Sequence, residues 1–96
     1  MYARFHRNDN DTILAACDDD VLGKTFRGDG VKITVSEAFY GKVKVEPSEL
    51  VEMMGSATIL NLVGEEVISL ATMVGLVSSD TVMQIGETKH VQVVMM

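Results

Sequence analysis

Apolar and polar positions alternate along much of this chain, and the changes of period mark its elements. Residues 2–7 and 12–17 read as two strands joined by Asn8-Asp9-Asn10-Asp11. Four consecutive Asn/Asp residues form turns readily, because their side chains bond nearby backbone and tolerate left-handed dihedrals. Alternation places Ala3 and Phe5 on one face of the first strand and Tyr2, Arg4 and His6 on the other. The second strand is apolar on both faces, which predicts an internal position in a sheet.

Asp18-Asp19-Asp20 reads as the cap and first turn of a short helix over residues 18–22, and Gly23, Gly28 and Gly30 read as loop. Residues 31–35 alternate as a half-buried strand. Ser36 suits the cap of a single turn over Glu37–Tyr40, which Gly41 ends, and Val43 and Val45 suggest a short extended piece. Pro47 fits the first position of a helix reaching Met54, where Gly55 stops it. Residues 57–63 fit a buried strand or a helical turn equally well, since periodicity does not separate short apolar runs. A longer helix starts at Gly64-Glu65-Glu66. Val67, Leu70, Ala71 and Val74 form its core-facing stripe, Glu65, Ser69 and Thr72 mark its outer face, and Gly75 with Leu76 forms its stop. Residues 81–85 and 89–95 predict a closing hairpin around Gly86-Glu87. The order predicts one α+β domain over residues 1–96, a mostly antiparallel sheet with N- and C-terminal hairpins and helices packed on one face.

Composition narrows the class. The chain has 96 residues, is 47% hydrophobic and contains one cysteine. That composition excludes a disordered chain and a disulfide scaffold. The opening segment has no secretory signal and no apolar run approaches a membrane span, so a cytoplasmic protein with no membrane partner is expected. Eight basic residues face fourteen acidic ones, for a net charge of −6. The imbalance is uneven: residues 1–44 hold seven of each sign, and residues 45–96 hold Lys89 against seven acids. An anionic partner would therefore meet the N-terminal half.

Several tempting chemistries fail on inspection. Asp18 stands where a phosphate-binding Gly-Lys-Thr loop ending at Thr25 needs its first glycine, and three aspartates would repel phosphate. A calcium loop counted from Asp9 has Leu14 and Asp20 where glycine and glutamate belong. His6 and His90 are the only histidines, and they would approach each other only if the two hairpins were neighbours. No metal site and no cofactor are expected. Cys17, in an apolar run, reads as a small core residue.

Two groups of candidate residues remain. Tyr2, Arg4 and His6 on one strand face, with Lys24, Arg27, Lys42 and Lys44, combine aromatic and basic groups as small RNA-binding sheets do. Asn61, Glu65 and His90 are candidates for a pocket, and would carry catalysis if they converged. Six methionines besides Met1 lie in the C-terminal half, and Met95-Met96 follows an apolar strand whose free edge would suit a homodimer.

Taken together, Ala15-Ala16-Cys17-Asp18, Leu22-Gly23-Lys24-Thr25-Phe26, Val35-Ser36-Glu37-Ala38-Phe39-Tyr40-Gly41, Ala57-Thr58-Ile59-Leu60-Asn61-Leu62-Val63-Gly64, Ile85-Gly86 and His90-Val91-Gln92 resemble an archaeal family of small conserved proteins catalogued as domain of unknown function 424. The resemblance spans nearly the whole chain. It implies an archaeal cytoplasmic protein of one α+β domain whose genes sit beside translation and ribosome-maturation genes. These segments specify a family rather than a chemistry, and no catalytic residue is carried over from it. The expected function is an accessory protein, not an enzyme, that contacts RNA or a ribonucleoprotein. A protein–protein adaptor or homodimer is the first alternative, and a small enzyme at Asn61, Glu65 and His90 the second.

Overall fold

In the computed structural model, which describes residues 1–95, strands β1 (Tyr2–Arg7) and β2 (Thr12–Cys17) form the expected N-terminal hairpin. Its register runs from Tyr2 opposite Cys17 to Arg7 opposite Thr12. The Asn8 side chain accepts bonds from Asp11 N at 2.9 Å and Asn10 N at 3.2 Å, which closes the turn.

Residues 18–22 form a turn and not a helix. Val21 N reaches Asp18 O only at 3.4 Å, and Lys24 N bonds Val21 O. The Asp18 side chain caps a different helix, described below. The glycine-containing stretch that follows is not loop either. Strands β3 (Thr25–Gly28) and β4 (Val31–Thr34) form a separate two-stranded ribbon. Its turn residues Asp29 and Gly30 have φ of +50° and +79°, the pair of positive values that a type I′ hairpin requires.

Helix α1 (Glu37–Tyr40) is capped by Ser36, whose hydroxyl accepts from Phe39 N. Helix α2 (Pro47–Met54) has the expected bounds, with Pro47 at its first position and Glu46 N bonded to the Glu49 carboxylate. The ambiguous run resolves as strand β5 (Ile59–Val63), with Leu60, Leu62 and Val63 buried and Ile59 and Asn61 half-buried. Thr58 clamps its entry. Thr58 N donates to Thr12 O at 2.8 Å, and its hydroxyl oxygen accepts from Thr12 N at 2.9 Å. Helix α3 (Glu65–Met73) ends in the expected glycine stop: Leu76 N bonds Ala71 O and Gly75 N bonds Thr72 O, with Gly75 at φ +81°. A single 3-10 turn (Ser79–Thr81) precedes β6 (Met83–Ile85) and β7 (Thr88–Val94).

The main sheet has the order β1-β2-β5-β7-β6. Only β2 and β5 run parallel, so the fold is α+β with a mostly antiparallel sheet. Leu14, Ala16, Leu60, Leu62 and Val91 face the two longer helices, packing on Leu50 and Met54 of α2 and Val67, Ile68 and Ala71 of α3. Ala15, Cys17 and Val63 face the opposite way, against Val21, Val35, Tyr40 and the inner side of the β3–β4 ribbon. The short α1 therefore lies with the ribbon on the second face. No helix among the described residues is long and apolar enough to cross a membrane.

Candidate functional site

The seven candidate contact residues fall into two groups at opposite edges of the sheet. Tyr2, Arg4, His6, Lys42 and Lys44 gather around β1 and α1, where local structure already occupies their polar ends. Arg4 Nη1 donates to Ala38 O at 2.9 Å. His6 Nε2 lies 2.7 Å from Phe39 O, and its ring stacks on Phe39 with centroids 4.6 Å apart. Lys42 is 3.8 Å from the Glu37 carboxylate. Lys44 is 3.2 Å from Asp19 and 5.8 Å from the Tyr2 ring centroid. Asp19 also binds the N-terminal ammonium. Those bonds hold its carboxyl below the usual range and push the Lys44 ammonium up. This edge is a self-neutralised surface that fixes α1 and the chain start to β1.

Lys24 and Arg27 belong to the other group, on the ribbon beside the β6–β7 turn. Arg27 stands directly opposite Lys32, and Thr25 opposite Thr34 with their hydroxyls 3.0 Å apart. Both pairs face outward, while Phe26 and Ile33 turn inward. Lys24, Arg27 and Lys32 are exposed and have no ion pair among the described residues. Lys32 is missing from the sequence-based candidates because the ribbon itself was not expected. Asp29-Gly30, a strong two-residue hairpin signal, was the clue.

The ribbon is anchored by a close backbone approach. A Cβ on Gly28 would lie 2.7 Å from Gly86 N, and one on Gly86 would lie 2.7 Å from Arg27 O. Glycine at both positions lets the β3–β4 and β6–β7 hairpins touch.

Asn61 and His90 do meet, but not with Glu65. Asn61 Oδ1 accepts from the Tyr40 hydroxyl at 2.7 Å and lies 3.1 Å from His90 Nε2. Burial pushes the Tyr40 phenol up and holds the His90 imidazole below its usual range, so the ring is neutral near pH 7. The Asn61 acceptor then selects the Nε2–H tautomer. This network sits on the ribbon side of the sheet. Glu65 lies on the helix side, where Lys89 holds it at 3.0 Å. The three residues do not form one site. The Tyr40–Asn61–His90 chain instead ties α1, β5 and β7 together through half-buried hydrogen bonds.

Cys17 is fully buried, and burial together with neighbouring Asp18 pushes its thiol up to about 12. A thiol in that state is a packing group rather than a nucleophile. His6 and His90 are far apart. The residues in register with His6 are Ile13, Ile59 and Val94, whereas His90 is in register with Val63, Cys17 and Tyr2. Strand β5 separates the two hairpins, so the neighbouring arrangement considered from sequence does not occur. No cluster of three or more metal-ligating side chains forms among the described residues.

At the C-terminal strand, residues 91–94 of β7 pair with β5 and have no partner on the other side among the described residues. Val94 is 62% exposed and Met83 51%. Met95 lies at the end of this edge, and Met96 is outside the described residues.

A family model described as protein of unknown function (DUF424) matches residues 5–96. The fold resembles the crystal structure of an uncharacterized conserved protein from Methanopyrus kandleri. The TM-score is 0.81 with 24% identity, and the match covers 99% of this chain and 92% of that one. No curated protein matches the sequence.

Proposed function

The chain belongs to the family described as protein of unknown function (DUF424), and we propose that it is a non-enzymatic cytoplasmic accessory that binds RNA or a translation-related ribonucleoprotein. One observation carries the reading. Arg27 and Lys32 stand side by side, exposed and without an ion pair among the described residues, on the outer face of a ribbon that Lys24 extends. Like charges directly opposite across a ladder destabilise it, and an anionic partner removes that repulsion. The remaining candidate cations, Arg4, Lys42 and Lys44, are already engaged within the protein. With Phe26 turned inward, the ribbon favours phosphate neutralisation over base stacking.

The test is RNA binding by fluorescence anisotropy across a salt series, using ribosomal RNA fragments. Three phosphate contacts predict a slope of log K against log salt of about −2 to −3. The variant Lys24→Glu, Arg27→Glu, Lys32→Glu should abolish binding while melting as a folded protein. Affinity unchanged in that variant would refute the ribbon as the contact.

A second reading, a homodimer through the C-terminal strand, draws support from the free edge of β7 and the exposed Val94. Such a dimer would add antiparallel pairing across two copies of that edge. A monomer mass by light scattering at high protein concentration would remove it, and a dimer mass abolished by Val94→Lys would support it.

A further inference from the structure

The outer side of α3 is a ridge with a groove on each flank. Glu65, Ser69 and Met73 stand at successive i, i+4 positions and line both grooves. The groove toward α2 has a volume of about 430 Å³, and Met1, Pro47 and Leu70 complete its apolar lining. The groove toward the 3-10 turn has a volume of about 420 Å³ and is lined by Ile68 and Val82. Met73 is 80% exposed, more than any other large apolar side chain among the described residues. Val74, expected on the core-facing stripe, is 44% exposed. The last turn of α3 thus leaves two large apolar side chains in solvent beside two apolar grooves. Apolar surface gathered in this way marks a contact face, whereas a scattered exposed residue does not.

Charge selects what covers this face. Helices α2 and α3 carry exposed Glu49, Glu52, Glu65 and Glu66, and residues 45–88 contain no lysine or arginine. Glu65 is held by Lys89 at 3.0 Å, while Glu49, Glu52 and Glu66 have no ion pair among the described residues. Glu66 lines the groove toward α2. Two copies meeting through this face would set like charges against each other, and a phosphate-bearing surface would be repelled in the same way. A cationic partner with an apolar stripe is favoured on both counts.

The shape adds the form of that partner. A helical ridge between two grooves accepts a second helix, whose side chains enter the grooves. Methionine suits such a contact, because its flexible thioether adapts to the side chains it meets. We propose that the outer face of α3 binds a basic amphipathic helix of another protein, with its apolar stripe against Met73 and the grooves and its lysines or arginines toward Glu66 and the α2 glutamates. The basic ribbon lies on the opposite face of the sheet, so this contact does not depend on RNA binding.

Fluorescence anisotropy of the full chain tests it, with a labelled leucine–lysine helical peptide of about 18 residues at about 0.15 M salt. A scrambled peptide of the same composition keeps the charge and loses the stripe. Saturable binding of the amphipathic peptide, about tenfold or more tighter than the scrambled one, is the expected result. Met73→Glu separates apolar docking from bare charge attraction, because it removes an apolar anchor while adding a negative charge. It should weaken binding about fivefold or more, as loss of an anchor side chain implies, whereas attraction by charge alone would tighten it. The 80% exposure of Met73 leaves the fold intact in that variant. Val31→Glu places the same charge on the ribbon and should leave affinity within about twofold, because distant exposed charges are screened. Absence of saturable binding, equal affinity for the scrambled peptide, unchanged or raised affinity in Met73→Glu, or equal weakening by Val31→Glu would each overturn the proposal.

Discussion

The Asp18 carboxyl group fills the space that a side chain at Gly64 would need. Gly64 is the N-cap of α3 and, lacking a side chain, makes no cap bond. Asp18, distant in sequence, provides the cap through both carboxylate oxygens. The end of β2 is thereby fastened to the start of α3, next to the point where Asp18 N bonds Val63 O. A glycine and an aspartate on separate elements together do what Ser, Thr, Asp or Asn usually does alone.

Gly64→Ala is expected to destabilise the protein strongly. The new Cβ meets the Asp18 carboxyl, and φ of +116° is strained for any L side chain. Strain and overpacking of this kind cost roughly 2–5 kcal/mol together, or a drop in Tm of order 10 °C or more in a domain of this size. A melting curve checks it. A Tm within about 2 °C of the parent would contradict the tight fit, since a clash with that strain cannot be so mild.

Asp18 also has a pH signature. Burial raises its carboxyl above 3.8, against the pull of the Glu66 and Val67 amides. A carboxyl raised on folding contributes stability that is fully present below 3.8 and lost as pH climbs through the folded value. Asp18→Asn keeps a cap acceptor and removes the titration. Its stability relative to the parent should therefore rise with pH in the window starting at 3.8. Urea midpoints measured across that window decide it, and parallel curves for the two proteins would exclude the effect.

Local signals in the sequence located most elements. The Asn/Asp turn, Pro47 with Gly55, and Gly75 with Leu76 each act within a few residues, and each appears where expected. The failures were of two kinds. The β3–β4 ribbon was hidden by reading Gly28 and Gly30 as breakers, although Asp29-Gly30 is itself hairpin chemistry. The trans cap by Asp18 and the insertion of β5 between β2 and β7 have no local signature, because they join segments remote in sequence. A run of three aspartates looks the same whether it caps its own helix or another. For the same reason the basic candidates separated. Strand parity put Tyr2, Arg4 and His6 on one face, but only tertiary packing showed Arg4 and His6 bonded to carbonyls of α1.

The His90 imidazole gives stability the opposite pH slope. Burial lowers it below 6.5, so its contribution is present above 6.5 and lost as pH falls through the folded value. The parent should lose stability over that range, and His90→Gln, which has no titration there, should lose less. Denaturation midpoints on either side of 6.5 test this. Identical slopes in the two proteins would mean that protonated His90 is tolerated beside Asn61.

Arg27→Glu separates a structural role from a binding role, because the two predict opposite outcomes. In the parent, Arg27 and Lys32 repel across the ribbon. Glutamate at residue 27 converts that pair into an attractive one, worth roughly 0.2–1 kcal/mol. The variant should therefore melt a few degrees higher, by the usual conversion of about 4–8 °C per kcal/mol. The same change places a carboxylate where phosphate contact is proposed, so RNA affinity should fall and the salt slope should shrink by about one contact or more. A side chain retained for the ribbon's own sake would give the reverse: lower stability with binding intact. Higher stability with lost binding would mean that the parent keeps an unfavourable pair because its partner is outside the chain.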